Sequence, residues 1–412
     1  MVTALVIGAG VAGPVAAMAL QRAGIRATLV DAAPGPADDI GAFLTLQVNG
    51  IAALRAVEAD GAVDGCGFPT RSMRLRSGSG KLLGEISTGE ALADGTVAIT
   101  LRRADLYRAL CDEALHRGIA VEHGRRLTDA RTEPDGGVLA EFADGSTATA
   151  DLLVGADGIR SRVRRIIDPG AVPARYVPLL NIGGYAPPQD TGAAPGDYEM
   201  VFGKRAFFGS LVAPDGAVWW FANPPRRDEP ARGELAAMTT SQWRSWLLEL
   251  FAPDRSPACS IIRSTPGELV GWTTYDLPSV RTWHRDRMIV IGDAAHATSP
   301  ASGQGASMAI EDAVELARCL RDHPEPGVAF AVYEQLRRSR VEKVVAAGAR
   351  LSNSKVAGPA GRMLRDALMP LLLSRTGGQA QPWLHEYHID WDAPVDIGGT
   401  ACSPGRGRAS MP

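Results

Sequence analysis

The sequence predicts an α/β fold with an inserted antiparallel sheet and a C-terminal helical region, and three observations predict it. The chain opens with a β-branched apolar run from Thr3 to Ile7, then glycines, then an Ala-rich segment of helical length ending at Ala23-Gly24. Two later apolar runs, Leu152-Leu153-Val154 and Met288-Ile289-Val290-Ile291, each lead into a glycine and an aspartate, as strand ends that carry ligands do. Between Ala174 and His284 the texture changes to short aromatic-bearing strands separated by turns such as Pro214-Asp215-Gly216.

Taken in order, Ile25 to Val30 reads as a second buried strand, and strand, glycine turn, helix, strand is the opening of a parallel sheet. A small strand pair, around Arg71 to Arg76 and Lys81 to Ile86, is placed in the inserted sheet. Arg103 to Arg117 reads as a helix, and so does Thr240 to Phe251 within the insertion. Helical spacing returns from Ile310 to Leu320, from Val328 to about Leu351 and from Arg362 to Leu373. The Gly-, Ser-, Pro- and Arg-rich end is expected to be disordered. At 412 residues the chain exceeds one hydrophobic core, so two intergrown domains are expected, with room for a large ligand between them. The expected boundaries are 1–70, 97–174 and 284–322 for the parallel domain and 71–96 and 175–283 for the inserted one. A helical region, 323–396, and a tail, 397–412, follow.

Composition excludes several classes. A formal charge of −3, with 22% charged and 45% hydrophobic residues, is that of a globular protein with no nucleic-acid partner. The five cysteines, Cys66, Cys111, Cys259, Cys319 and Cys402, are scattered and never spaced as metal ligands, so no metal is expected and a reducing compartment is. The apolar start lacks a basic n-region and is broken by Gly8, Gly10, Gly13 and Pro14, and no run reaches the roughly 20 apolar residues of a membrane span. The expectation is a cytoplasmic protein, monomer or homodimer.

Gly8-Ala9-Gly10-Val11-Ala12-Gly13 fits G-x-G-x-x-G between the first strand and helix. The three glycines serve a tight turn, close backbone approach to a pyrophosphate, and close packing of helix on sheet, while the helix N-terminus faces the phosphates. Asp31, at the end of the second strand, stands where a carboxylate meets a ribose. This makes the parallel domain a Rossmann-like dinucleotide domain, and Gly8, Gly10, Ala12, Gly13 and Asp31 are its first candidate contacts. FAD and NAD share the half that such a loop binds.

Two further segments choose between them. Asp151-Leu152-Leu153-Val154-Gly155-Ala156-Asp157-Gly158-Ile159-Arg160-Ser161-Arg162-Val163-Arg164 resembles the Asp-Gly fingerprint of the para-hydroxybenzoate hydroxylase family, the class A FAD-dependent monooxygenases. Asp157, Gly158, Ser161 and Arg164 fill that fingerprint. Arg287 to Gly305 resembles the family's Gly-Asp motif with the proline- and glycine-rich turn after it, through Gly292, Asp293, Pro300, Gly303 and Gly305. Leu101-Arg102-Arg103-Ala104-Asp105-Leu106-Tyr107 looks like the family's arginine-led helix. The resemblance runs from Thr3 to the closing Trp391-Asp392-Ala393-Pro394.

The resemblance implies the glutathione reductase-like FAD fold, FAD as cofactor, NADPH or NADH as reductant, and transfer of one oxygen atom from dioxygen to a small organic substrate, aromatic or polycyclic, by hydroxylation or epoxidation. It places Asp293 on a ribityl hydroxyl, Arg103 in the cofactor site, backbone at Leu127 beside the adenine, and the turn of Pro300, Gly303, Gly305 and Ala306 at the pyrimidine side of the flavin. There a helix N-terminus stabilises the negative charge of reduced flavin. It also assigns the Asp-Gly segment to both the flavin pyrophosphate, through Asp157, and the nicotinamide donor, through Asp157 and Arg164. One departure concerns Ile40 to Leu44, where relatives with carboxylated substrates often carry arginine and this chain has none between Asp31 and Asn49.

No side-chain nucleophile is required, because the cofactor carries the hard chemistry; His296 beside the Gly-Asp motif is read as structural and no catalytic residue is nominated. For the substrate pocket, period-two alternation along Phe207-Phe208-Gly209-Ser210-Leu211 and Val218-Trp219-Trp220-Phe221 leaves open which face is which. Trp220, Phe208 and Ser210 are chosen as the cavity face, with Tyr185 and Phe202 behind them. The rival readings are a two-component oxygenase or halogenase fed reduced FAD, a flavoprotein reductase and a redox-inactive FAD-binding protein. The halogenase pattern W-x-W-x-I-P is absent, since Trp219 and Trp220 are adjacent.

Overall fold

The computed structural model describes residues 1–35, 43–134, 136–355, 358–376 and 382–395. Ile40 to Ala42 and the tail from 397 lie outside them.

The parallel sheet has six strands in the spatial order His284–Arg285, Met288–Val290, Leu152–Gly155, Thr3–Ile7, Arg26–Val30 and Ala120–Glu122. All pairs are parallel except the edge pair of His284–Arg285 with Met288–Val290. Leu5 lies between Leu153 and Thr28, and Leu153 lies beside Met288. The three strands that precede the sequence motifs are therefore neighbours, and their C-terminal ends open on one edge. This is the edge where a doubly wound sheet binds ligands.

Behind the sheet, the helix Ala12–Arg22 packs on the 18-residue helix Gly305–Asp322, which is buried from Ser307 to Leu320. A second sheet, Thr147–Ala150, Val138–Phe142 and Leu127–Thr132, is an antiparallel meander.

The inserted sheet has seven strands in the order Gly271–Asp276, Arg175–Ala186, Val218–Asn223, Phe207–Val212, Tyr198–Phe202, Ser72–Ser77 and Leu82–Ser87. Its pairs are antiparallel except that Tyr198–Phe202 runs parallel to Ser72–Ser77, because the latter pair enters from an earlier part of the chain. A small sheet of Phe43–Leu46, Ile99–Arg102 and Gly67–Pro69 bridges to the parallel domain.

The two faces of the inserted sheet are covered differently, and the assignment chosen from sequence is reversed. Trp220 and Phe208 are fully buried on the outer face, stacked at 5.5 Å and packed with Trp243, Leu247, Phe251 and Ile261. Ser210 pairs with Trp220 across the strands and shares that face. The reason lies in the helix Thr240–Phe251, capped by the reciprocal Thr239 and Gln242 bonds, whose Trp243, Leu247 and Phe251 form one apolar stripe. That stripe needs a sheet face, and the indole N–H of Trp220 finds a partner there in Thr265 Oγ1 at 2.9 Å. Tyr185 and Phe202 lie on the opposite, inner face with Tyr198, Trp219, Phe207 and Phe221, turned toward Phe43 and Phe68 of the bridging sheet.

After the inner helix, the long helix Pro326–Ser354 returns across the molecule and the helix Pro359–Thr376 lies against Leu82–Ser87. No helix of the described residues is long and apolar enough to cross a membrane.

Candidate functional site

The glycine loop is built as close packing requires. Gly8 has φ +107°, and a Cβ there would sit 2.4 Å from the Ala156 carbonyl oxygen, so the loop lies against the neighbouring strand end. A Cβ at Gly13 would sit 1.8 Å from the Gly8 carbonyl oxygen. At Gly10 a Cβ would meet nothing within 4 Å, so the space in front of that backbone is open. Asp31 holds the loop from the side: one carboxylate oxygen accepts from the Ala9 N–H at 2.6 Å and the other from the Ala33 N–H at 2.6 Å.

On the adjacent strand end, Gly158 has φ +75° and Asp157 turns back to accept from the Arg162 N–H at 2.6 Å, the Val163 N–H at 3.1 Å and the Ser161 hydroxyl. Ser161 in turn caps the helix Arg162–Ile167 by accepting from the Arg164 N–H at 2.9 Å. Burial pushes the Asp157 carboxyl up, against the pull of these bonds. Arg164 is only 3% exposed, and its guanidinium donates to the Ala294 carbonyl at 2.7 Å and the Ile159 carbonyl at 2.6 Å. The expectation that it meets a nicotinamide donor at the surface is therefore corrected: Arg164 fastens the Asp-Gly segment to the Gly-Asp segment, because its planar fork satisfies two buried carbonyls at once.

On the third strand end, Gly292 has φ +57°, and a Cβ there would come 3.2 Å from Ala12 Cβ and 3.3 Å from Ala309 Cβ. Small residues at 12, 292 and 309 thus bring the glycine-loop helix, the Gly-Asp turn and the inner helix together. Asp293 follows, accessible to solvent yet surrounded by protein, as a group on the floor of a cleft is. Its surroundings push its carboxyl up, and the charge of Arg103 pulls it down. Arg103 is itself oriented by Tyr107, whose hydroxyl accepts from Nε at 2.7 Å.

Pro300 and Gly303 are exposed, Gly305 and Ala306 are half-buried, and Gly303 has φ +63°. They form an open turn at the start of a buried helix, whose dipole and first N–H groups favour negative charge. Leu127 is buried at the head of the antiparallel meander.

A buried ionic network holds this turn in place. Asp312 of the inner helix accepts from the Gly292 N–H at 2.9 Å and from Arg337 Nε at 2.7 Å, and it pairs with His296. Glu311 accepts from Asn49 at 2.6 Å, Arg340 at 2.8 Å and Arg337 at 2.7 Å. Burial would raise the Asp312 carboxyl, but His296 and Arg337 outweigh it and hold the pKa down at about 2. His296 is 3% exposed and committed to Asp312, which makes it structural.

The inner face of the inserted sheet carries a cluster of aromatic rings. Its rings form a continuous patch: Phe43 is 5.5 Å from Trp219 and 6.1 Å from Phe221, and Tyr185 is 5.2 Å from Trp219. Arg102 lies over Tyr185 at 5.0 Å. Lys355, just past the end of the long helix, lies over Phe207 at 4.3 Å and donates to Asn223 Oδ1 at 2.7 Å. Phe43, Arg102 and Lys355 were not singled out from sequence as pocket residues. No local pattern marks them, since each reaches the patch from an element distant in the chain.

The residues present fit FAD. Open backbone at Gly10, an accessible carboxylate at Asp293 and an open helix start at Gly303 to Ala306 lie along one edge, and each of the close contacts around Gly8, Gly13 and Gly292 would be filled by a Cβ. Comparisons with known proteins agree. The family described as FAD binding domain matches residues 1–347. An aurachin C monooxygenase/isomerase of Stigmatella aurantiaca is 30% identical over 85% of this chain and 88% of its own length. A probable 2-heptyl-3-hydroxy-4(1H)-quinolone synthase of Rhodococcus erythropolis is 30% identical over 82% of this chain and 85% of its own. The crystal structure of Klebsiella pneumoniae HpxO complexed with FAD and uric acid superposes with a TM-score of 0.79 at 26% identity, covering 91% of this chain and 94% of that one. The chain belongs to the FAD binding domain family and, within it, to the single-component FAD-dependent monooxygenases that take NAD(P)H as reductant.

Proposed function

We propose that this enzyme oxygenates a planar aromatic or nitrogen-heteroaromatic substrate, stacked on the inner face of the inserted sheet. The observation that carries this reading is the ring patch of Phe43, Tyr185, Trp219 and Phe221, in which Phe43, Tyr185 and Phe221 are only half-buried while Trp220 and Phe208 on the outer face are sealed. Aromatic faces favour flat ligands in offset or edge contacts. Two relatives support the chemistry, one named for a quinolone and one holding uric acid beside FAD.

When bound, FAD would supply the redox chemistry that links oxidation of NAD(P)H to transfer of one oxygen atom from dioxygen to the substrate. The chain's own residues position and shield it. Gly8, Gly10, Ala12 and Gly13 take the pyrophosphate, and Asp31 keeps that loop in register. Asp293, with Arg103 beside it, takes the ribityl chain. In the turn shaped by Pro300 and Gly303, Gly305 and Ala306 at the helix start would present N–H groups to the pyrimidine side, where they stabilise negative charge. Leu127 closes the adenine end. Asp157 acts by shaping the turn beside the loop. The chain has one dinucleotide loop, so the nicotinamide donor binds transiently at the surface. Dioxygen as co-substrate and a cytoplasmic monomer or homodimer complete the reading; unpaired Cys66, Cys111, Cys259 and Cys319 suit a reducing compartment.

The test is a substrate-screened NAD(P)H oxidation assay with mass analysis of the product. A substrate that stimulates oxidation and gains one oxygen is the expected result. Oxygenation only of aliphatic, non-planar compounds would overturn the stacking reading.

A further inference from the structure

The long helix Pro326–Ser354 touches both halves of the site. Near its end, Ser352 Oγ lies 2.7 Å from Ser299 Oγ, and a Cβ at Gly348 would meet Thr298 Oγ1 at 2.8 Å and Ser302 Cβ at 3.1 Å. The helix thus rests directly on the turn that leads to Gly303. Lys355 follows Ser352 by about one helical turn, a rise of roughly 4.5 Å, and its Nζ lies 4.3 Å from the centroid of Phe207 and 5.6 Å from that of Phe221. One amine is therefore delivered to the seam between the cofactor turn and the ring-lined face.

Among the described residues, the groups in contact with this amine are uncharged. Phe207, Phe221 and Asn223 come from two neighbouring strands, and behind them Asn223 donates to Asn181, which donates to Thr274 Oγ1 at 2.9 Å. Along the same face Arg102 lies over Tyr185 at 5.0 Å, and Arg365, paired with Asp366 at 2.8 Å, lies over Phe202 at 4.6 Å. Among the described residues no carboxylate forms an ion pair with Lys355. Burial without a counter-charge lowers its pKa to about 7, so the free amine is available near neutrality. A free amine in such a place accepts protons, and the ammonium it becomes is stabilised by an anion beside it and by the faces of two rings.

We infer that Lys355 is the specificity-determining group of the substrate face, selecting an aromatic ligand with a weakly acidic ring hydroxyl or ring N–H and receiving its proton. The proton passes from substrate oxygen or nitrogen to Nζ, and the bonding electron pair stays on the substrate. An ammonium–anion pair results, and nothing is oxidised or reduced. The deprotonated ring is richer in electrons, which suits a ring about to accept an oxygen atom. This rests on the stacking reading above only in taking the inner face as the place where the ring lies.

The test uses the oxidised, FAD-loaded protein without NAD(P)H, titrated with 2-naphthol and with its methyl ether, 2-methoxynaphthalene, and followed by the flavin absorbance. The wild-type protein is expected to bind the naphthol about tenfold more tightly than the ether, about 1.4 kcal/mol. Lys355→Met is expected to erase that preference while leaving FAD content and ether affinity unchanged. The wild-type affinity for naphthol should fall as pH drops below about 7 and level off above it. Lys355→Arg, permanently protonated, should instead gain affinity steadily with pH through the same range. No preference in the wild type, an undiminished preference in Lys355→Met, or superimposable pH profiles of wild type and Lys355→Arg would each overturn the assignment. The ether reports separately on stacking: if Trp219→Ala leaves its affinity unchanged, the inner-face reading fails, whereas failure of the naphthol arm alone leaves that reading standing.

Discussion

At the level of single residues, the glycine loop separates packing from ligand contact. A methyl group at Gly13 would overlap the Gly8 carbonyl oxygen at 1.8 Å and approach Leu29 at 3.1 Å. Gly13→Ala is expected to destabilise the protein itself, by about 1–3 kcal/mol or more, as overpacking does. A methyl group at Gly10 meets nothing, so Gly10→Ala is expected to fold with the wild-type melting temperature yet bind FAD more weakly, by roughly 1.5–3 kcal/mol, the loss of a charge-assisted backbone contact. Thermal melts of apoprotein beside FAD titrations check both; equal effects of the two substitutions on melting would show that the open space at Gly10 is misjudged. Asp293→Ala should likewise weaken FAD by about 1–3 kcal/mol without unfolding the protein, because the carboxylate is accessible and makes no buried ion pair among the described residues.

At the level of elements, the two faces of the inserted sheet and the buried network make different demands. Trp220 is sealed between its sheet and the helix Thr240–Phe251, so Trp220→Ala is expected to lower stability by about 3–5 kcal/mol, the cost of a large cavity and a lost indole partner. Chemical denaturation measures it, and a change confined to substrate affinity would return Trp220 to the pocket. Between the inner and long helices, Arg337 is wholly buried and serves both Glu311 and Asp312. Arg337→Met is expected to cost about 3–5 kcal/mol, since two buried carboxylates would lose their counter-charge. The same network sets an acid limit. The folded pKa of Asp312, about 2, lies below its unfolded value of roughly 4. Its contribution is thus present above about pH 4 and lost as pH falls through about 2. Acid unfolding of the wild type should fall in that window, and a stability curve flat to pH 2 would contradict the pairing.

At the level of the whole molecule, three motifs from distant parts of the chain become one edge because their strands are neighbours in one parallel sheet. With one dinucleotide loop in the sequence and FAD as cofactor, reduction by NAD(P)H is expected to be gated by substrate. Anaerobic flavin reduction should speed up about tenfold or more with the true substrate, equivalent to about 1.4 kcal/mol off the barrier. A ligand achieves this only through different affinity for two arrangements of the site. Stopped-flow reduction with and without substrate checks it. Equal rates would show that reduction is not coupled to the substrate face.

The sequence by itself determined the order of elements and the three turns that meet on one edge of the parallel sheet. Short-range spacing carries both: glycines at 8, 10 and 13, Asp157-Gly158 and Gly292-Asp293 each follow an apolar strand, and backbone geometry allows few ways to use such turns. Helices such as Thr240–Phe251 were legible because their apolar stripe is local. Only the tertiary structure decided which face of the inserted sheet is sealed by a helix. Alternation is symmetric, so Trp219 and Trp220 are equivalent until a helix covers one side. Arg164 reads as a motif residue in sequence, and its burial against Ala294 depends on a contact 130 positions away. The bridging strands Phe43–Leu46 and Ile99–Arg102 are too short to announce themselves, yet they supply Phe43 and Arg102 to the ring patch. Lys355 sits at the end of a long helix with nothing local to distinguish it, and only packing brings its amine over Phe207.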